Sequence, residues 1–136
     1  MHLNPYLIFS GQCREAFQFY EQCLGGRIVA MISHQDTPAA AHVSDDWGDL
    51  IMHARLVIGD AVLMGSDSPP EHFKPMEGMY VSLQLTEVAE AERIFHALAE
   101  GAEIRMPLQE TFWAARFAML VDRFGTPWMI NCEMSA

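Results

Sequence analysis

Ala16-Phe17-Gln18-Phe19-Tyr20-Glu21-Gln22-Cys23, closed by Leu24-Gly25-Gly26, has an echo 75 residues further on, in Ala91-Glu92-Arg93-Ile94-Phe95-His96-Ala97-Leu98. Ala16, Phe19, Tyr20 and Cys23 answer Ala91, Ile94, Phe95 and Leu98. Apolar residues at i, i+3, i+4 and i+7 lie on one face of an α-helix. A unit that occurs twice implies paired modules rather than a solenoid, in which more copies stack.

The surroundings of the two helices repeat as well. Ahead of the first, Tyr6-Leu7-Ile8-Phe9 is a short apolar run ended by Ser10-Gly11, which reads as a strand and a helix cap. Cys13, Ala16, Phe17, Tyr20, Cys23 and Leu24 make one apolar stripe. Ile28 to Ile32 reads as a strand, followed by an acidic loop over about 34 to 50. Leu50 to Ile58 and Ala61 to Gly65 are two strands joined by Gly59-Asp60, a pair suited to a two-residue hairpin turn. Residues 66–78, rich in Pro, Ser and Asp, read as a linker.

In the second half, Met79, Val81, Leu83 and Leu85 alternate with Tyr80, Ser82 and Gln84, the period of a central strand with one apolar face. Thr86 is placed to cap the helix of Val88 to Leu98, which stops at Gly101. A short strand from Ala102 to Met106, a turn at Pro107 and a hairpin with arms Ala115 to Val121 and Trp128 to Glu133 complete the half. The class is α+β: two βαβββ modules, about 5–67 and 78–134, in a single domain covering 1–136.

Composition narrows the function classes. A formal charge of −10 opposes nucleic-acid or anionic-lipid partners, which need a cationic surface to displace counterions. No apolar run reaches the roughly 18 residues of a membrane span. The N-terminus has neither a basic region nor an apolar signal core. Cys13, Cys23 and Cys132 are odd in number and form no CxxC pair, as expected of reduced thiols in the cytoplasm.

Longer motifs carry a resemblance. They are Pro5-Tyr6-Leu7, Ala16 to Tyr20, Leu24-Gly25-Gly26, Met52-His53-Ala54-Arg55-Leu56 and Leu63-Met64-Gly65-Ser66-Asp67, then Thr111-Phe112-Trp113 and Asp122-Arg123-Phe124-Gly125-Thr126-Pro127-Trp128-Met129-Ile130-Asn131. With the paired modules, they resemble the vicinal oxygen chelate superfamily (glyoxalase I, extradiol dioxygenases, bleomycin- and fosfomycin-resistance proteins), and within it the PhnB-like branch. The resemblance implies a curved mixed sheet around a cleft with helices outside, a small organic ligand, and commonly a homodimer.

Metal-using members of that superfamily take His or Glu ligands from four strand positions, and the metal acts as a Lewis acid. Carried onto this chain, those positions fall at Pro5, Leu63 or Met64, Tyr80, and Met129. None supplies a carboxylate or imidazole, so no resident metal or cofactor is expected. A ubiquinone-pathway methyltransferase, a label given to some PhnB-like chains, is unsupported: there is no strand followed by a Gly-rich loop for the adenosyl group.

The remaining candidates are ligand contacts. His53 can bond or exchange protons near neutrality, and Arg55 can fork onto a carboxylate or phosphate. His53 is expected beside Met64. Tyr80, Ser82 and Gln84 form a polar strand face, joined from the last strand by Met129 and Asn131; alternation sends Trp128, Ile130 and Cys132 the other way, into the core. Trp113, in a loop, can stack on a planar ligand. His34, His42, Asp36, Asp45 and Asp46 lack metal-ligand spacing and read as a solvated loop.

Two functions follow. One is a binding protein that holds a small organic molecule without turning it over. The other is a metal-independent isomerase, lyase or hydrolase, with His53 or Glu133 as acid–base and Tyr80 or Arg55 as electrophilic partner.

Overall fold

The computed structural model describes residues 1–38 and 48–135. The chain divides into two compact units, Met1–Pro75 and Met76–Ala136. Each holds one α-helix and one four-stranded mixed sheet.

In the first unit the elements run β1 (Tyr6–Phe9), α1 (Cys13–Leu24), β2 (Arg27–Ser33), β3 (Ile51–Ile58) and β4 (Ala61–Asp67). The sheet order is β1-β4-β3-β2, with β1 parallel to β4 and the other pairs antiparallel. The second unit repeats this with β5 (Val81–Leu85), α2 (Val88–Leu98), β6 (Glu103–Gln109), β7 (Ala114–Val121) and β8 (Pro127–Glu133), in the order β5-β8-β7-β6. Again the first strand is parallel to the last. The βαβββ reading of both halves therefore holds.

The cores follow from the two periodicities. Helix α1 buries Cys13, Ala16, Phe17, Tyr20, Cys23 and Leu24, and also Phe19. These meet Leu7, Phe9, Ala54, Leu56 and Leu63 from alternate positions of the strands. Gly65 marks a close approach of helix and sheet: a Cβ there would lie 2.7 Å from the Phe17 ring and 2.8 Å from the Leu7 carbonyl oxygen. Only hydrogen lets helix and sheet come this near. Helix α2 buries Ala91, Ile94, Phe95 and Leu98 over a sheet whose inner residues include Ala118, Leu120, Trp128, Ile130 and Cys132.

The Gly59-Asp60 hairpin forms as expected, with Ile58 paired to Ala61. Gly59 has φ +58° and Asp60 does not enter positive φ, so only the first turn residue needs glycine's freedom.

Several local expectations are corrected. Ser10 and Thr86 do not cap; the N-cap residues are Gln12 and Glu87, and neither makes a side-chain cap bond. The start of α1 is tied down instead by Asp67, whose Oδ1 accepts from the backbone N–H of Gly11 at 3.0 Å and Cys13 at 2.9 Å. Its Oδ2 accepts from the Ile51 N–H at 2.9 Å, so β4 runs two residues into what reads as linker. Pro107 does not end a strand: β6 passes through it to Gln109, with register shifts on either side of Met106. An edge strand tolerates this because one row of its N–H groups has no ladder partner to lose. Val81–Leu85, expected to be central, is also an edge of its sheet.

Candidate functional site

One face of each sheet packs its helix; the other is open, and His53, Arg55, Met64, Ser82, Gln84, Met129 and Asn131 fall on the open faces, with Tyr80 just ahead of β5 and Trp113 in a loop. In the first unit, register places Tyr6, Met64, Arg55 and Ala30 in one cross-strand row, pairs Ile8 with Ser66, and pairs Ile32 with His53. Met64 thus lies opposite Arg55, and His53 stands two residues from Arg55 on the same strand. The Arg55 guanidinium reaches the Met64 Sδ at 3.9 Å. The Tyr6 hydroxyl lies 3.2 Å from His53 Nδ1, with the two rings stacked at 5.9 Å between centroids.

In the second unit, rows Ser82–Met129–Met119 and Gln84–Asn131–Phe117 cross the open face. Asn131 Nδ2 donates to Gln84 Oε1 at 3.0 Å, and Gln84 Nε2 donates to Ser82 Oγ at 2.9 Å. Met129 and Asn131 are half-buried on this face, while Trp128, Ile130 and Cys132 are fully buried on the other. The alternation read from the sequence is therefore correct. Arg105 donates to the Tyr80 hydroxyl at 2.9 Å and lies over its ring. Tyr80 precedes one edge strand and Arg105 is on the opposite edge. A flat four-stranded sheet puts those edges roughly 14 Å apart, a span that the long Arg105 and Tyr80 side chains together can bridge.

Trp113 stands in the β6–β7 loop, half-exposed, with its ring 5.2 Å from that of Phe117. Phe112 beside it is almost fully exposed. Glu133 is exposed at the end of β8, apart from the His53 sheet in sequence and in unit. Asp36 accepts from Ser33 Oγ at 2.8 Å within a 3₁₀ turn, whereas His42, Asp45 and Asp46 lie outside the described residues.

The thiols are poor nucleophiles. All three cysteines are free and buried. Desolvation, reinforced by the Asp67 carboxylate, holds the Cys13 thiol far above its ordinary range; desolvation and then Glu87 raise Cys132.

Sequence reasoning missed two residues of these faces. Tyr6 was hidden in an all-apolar run that gives no alternation to separate its faces. Arg105 sits at a register shift, where strand parity fails.

A sequence profile of the glyoxalase/bleomycin resistance protein/dioxygenase superfamily matches residues 2–130. The chain belongs to that superfamily. It is 37% identical to protein YjdN of Escherichia coli over 96% of this chain and 95% of the relative. The crystal structure of PA1353 from Pseudomonas aeruginosa superposes with a TM-score of 0.91, at 51% identity and 99% coverage of both chains. A PhnB protein of Bacillus cereus, named as a candidate 3-demethylubiquinone-9 3-methyltransferase, superposes with a TM-score of 0.79 over 97% of this chain and 99% of its own. At 23% identity that likeness speaks for the fold alone.

The metal that the superfamily commonly uses can be tested against the residues here. Pro5 stands just ahead of β1 and its side chain has no donor atom for a metal, and Leu63 is buried beneath the sheet. Around those positions the open faces present Tyr6, Met64, Ser82 and Met129, with Tyr80 just ahead of β5 and, among the described residues, a single imidazole, His53. Phenol, hydroxyl and thioether groups do not make the imidazole and carboxylate set that divalent Zn, Ni, Mn or Fe requires. Among the described residues no group of three or more His, Cys, Asp or Glu could hold a metal ion. The residues do not fit the metal. No helix is long and apolar enough to cross a membrane.

Proposed function

We propose that this chain is a PhnB-like small-molecule-binding protein that engages an organic ligand through its open sheet faces without the superfamily's metal. The observation that carries the reading is the Asn131–Gln84–Ser82 hydrogen-bonded row. Amides and a hydroxyl held by one another present donors and acceptors in fixed directions, which is the specific part of a binding surface. Met129 and Met64 beside the polar groups supply apolar surface that adapts to shape. Tyr80, fixed by Arg105, and Trp113, braced on Phe117, offer aromatic faces. His53 and Arg55 are the polar contacts of the first unit. The chain works as a cytoplasmic homodimer in this reading.

A second reading has its own support. The contact between Tyr6 and His53 Nδ1 orients an imidazole beside Arg55, an arrangement suited to acid–base work in a metal-independent isomerase, lyase or hydrolase.

The test is a thermal-shift screen of small organic acids, amides and aromatics on protein treated with chelator, followed by chromatography of every hit. Binding predicts a raised melting temperature with the compound recovered unchanged. A hit converted to product favours the second reading, and stabilisation that needs added metal overturns both. Light scattering at micromolar concentration checks the dimer; a mass near 15.3 kDa would refute it.

A further inference from the structure

The open face of the first unit is cationic in an acidic protein. The chain carries 18 Asp and Glu against 8 Lys and Arg. Yet the strands of this face carry Arg27, Arg55, His53 and Tyr6 among apolar and hydroxyl neighbours, with no carboxylate in the paired rows of the described residues. Two ion pairs among the described residues, Arg93 with Glu90 and Arg116 with Glu92, belong to the other unit. Arg55 is exposed and rests on the Met64 sulfur, a weak acceptor, with no salt bridge to a carboxylate among the described residues.

The Tyr6–His53 pair adds a donor in either tautomer. If the Tyr6 hydroxyl donates to Nδ1, the neutral ring carries its proton on Nε2, and that N–H is free. If Nδ1–H donates to Tyr6, the phenol O–H is free. His53 and Arg55 are two residues apart on one strand face, so their Cα atoms are roughly 6.6 Å apart. A guanidinium fork and a neutral donor at that spacing can converge on the oxygens of one planar or tetrahedral anion.

We infer that the first unit's open face, through Arg55 and the Tyr6–His53 pair, is an oxyanion site, and that the ligand is a small organic anion with a carboxylate or phosphonate head. The inference rests on the small-molecule reading above and narrows it to a ligand class.

Calorimetry and amide chemical-shift mapping with benzoate, phenylphosphonate and neutral benzamide test it. Benzoate or phenylphosphonate, whichever head the site prefers, binds at least tenfold more tightly than benzamide and shifts the amides around His53 and Arg55. Arg55→Gln lowers that affinity at least tenfold, and Tyr6→Phe, which keeps the ring, lowers it about threefold. Melting temperatures of both variants, measured alongside, stay near that of the parent. Benzamide binding as tightly as the anions, or anion binding unchanged in Arg55→Gln, overturns the oxyanion site and leaves the small-molecule reading standing. Failure of all three probes to shift any open-face amide in either unit overturns both.

Discussion

The indole Nε1 of Trp128 donates a 2.8 Å hydrogen bond to Oδ2 of Asp122, and both residues are buried. Oδ1 of the same carboxylate accepts from the backbone N–H of Phe124 and Thr126, at 2.8 and 3.0 Å. One side chain thus holds the β7–β8 turn and fixes the largest core ring. Asp122→Ala leaves the indole and two amides short of an acceptor, at about 1–3 kcal/mol for each group that water cannot reach. Urea denaturation should show a loss of about 3 kcal/mol. A loss below about 1 kcal/mol would mean that water replaces the carboxylate.

The Asn131–Gln84–Ser82 row should behave oppositely. Gln84 and Ser82 are exposed, so Gln84→Ala should change stability by less than about 0.5 kcal/mol. Affinity for a hit from the thermal-shift screen should fall by about an order of magnitude, since two fixed partners lose their brace. Titration calorimetry of parent and variant checks this; unchanged affinity would remove the row from the site.

Metal content follows from the donor chemistry on the open faces. Purified protein should carry no stoichiometric Ni, Zn, Mn or Fe by elemental analysis. One tightly held ion per chain, retained through dialysis, would contradict the argument.

Stability should fall in alkali. The folded state holds the Cys13 thiol protonated well above the ordinary thiol pKa of 9.0. Below about pH 9 both states keep the proton and the group contributes no slope. Above it the unfolded chain releases a proton that the native chain retains, so unfolding is favoured progressively as pH rises. Chemical denaturation between pH 8 and 10.5 should show this decline, shallower in Cys13→Ala. Equal slopes in the two proteins would show that other groups dominate.

How much of this was legible in the chain depends on the range of the interaction. Helix faces and strand parity are local, so the stripe of Cys13 to Leu24 and the inward turn of Trp128 could be read directly. Asp67 could not: beside Ser66, Ser68 and Pro69 it looks like linker, and only the meeting of β4, β3 and the start of α1 makes it a buried acceptor. The same non-locality misassigned the caps to Ser10 and Thr86, residues of the right type a short way along the chain from the real N-caps. On the open faces the residue types were legible but their partners were not. Tyr6 meets His53, and Tyr80 meets Arg105, across strands distant in sequence.

In both units the first strand lies parallel to the last, Tyr6 against Met64 and Val81 against Trp128. A ribosome delivers the chain from its N-terminus, so β1 and β5 emerge long before the strands that will hold them. Until then each presents a bare edge with apolar side chains, held only by whatever the nascent helix beside it can cover. The slow event in biogenesis should therefore be the return of β4 and β8 to close these gaps, a long-range closure that no local propensity can hasten. Sheltering Tyr6–Phe9 and Val81–Leu85 during synthesis is then where a chaperone would matter most.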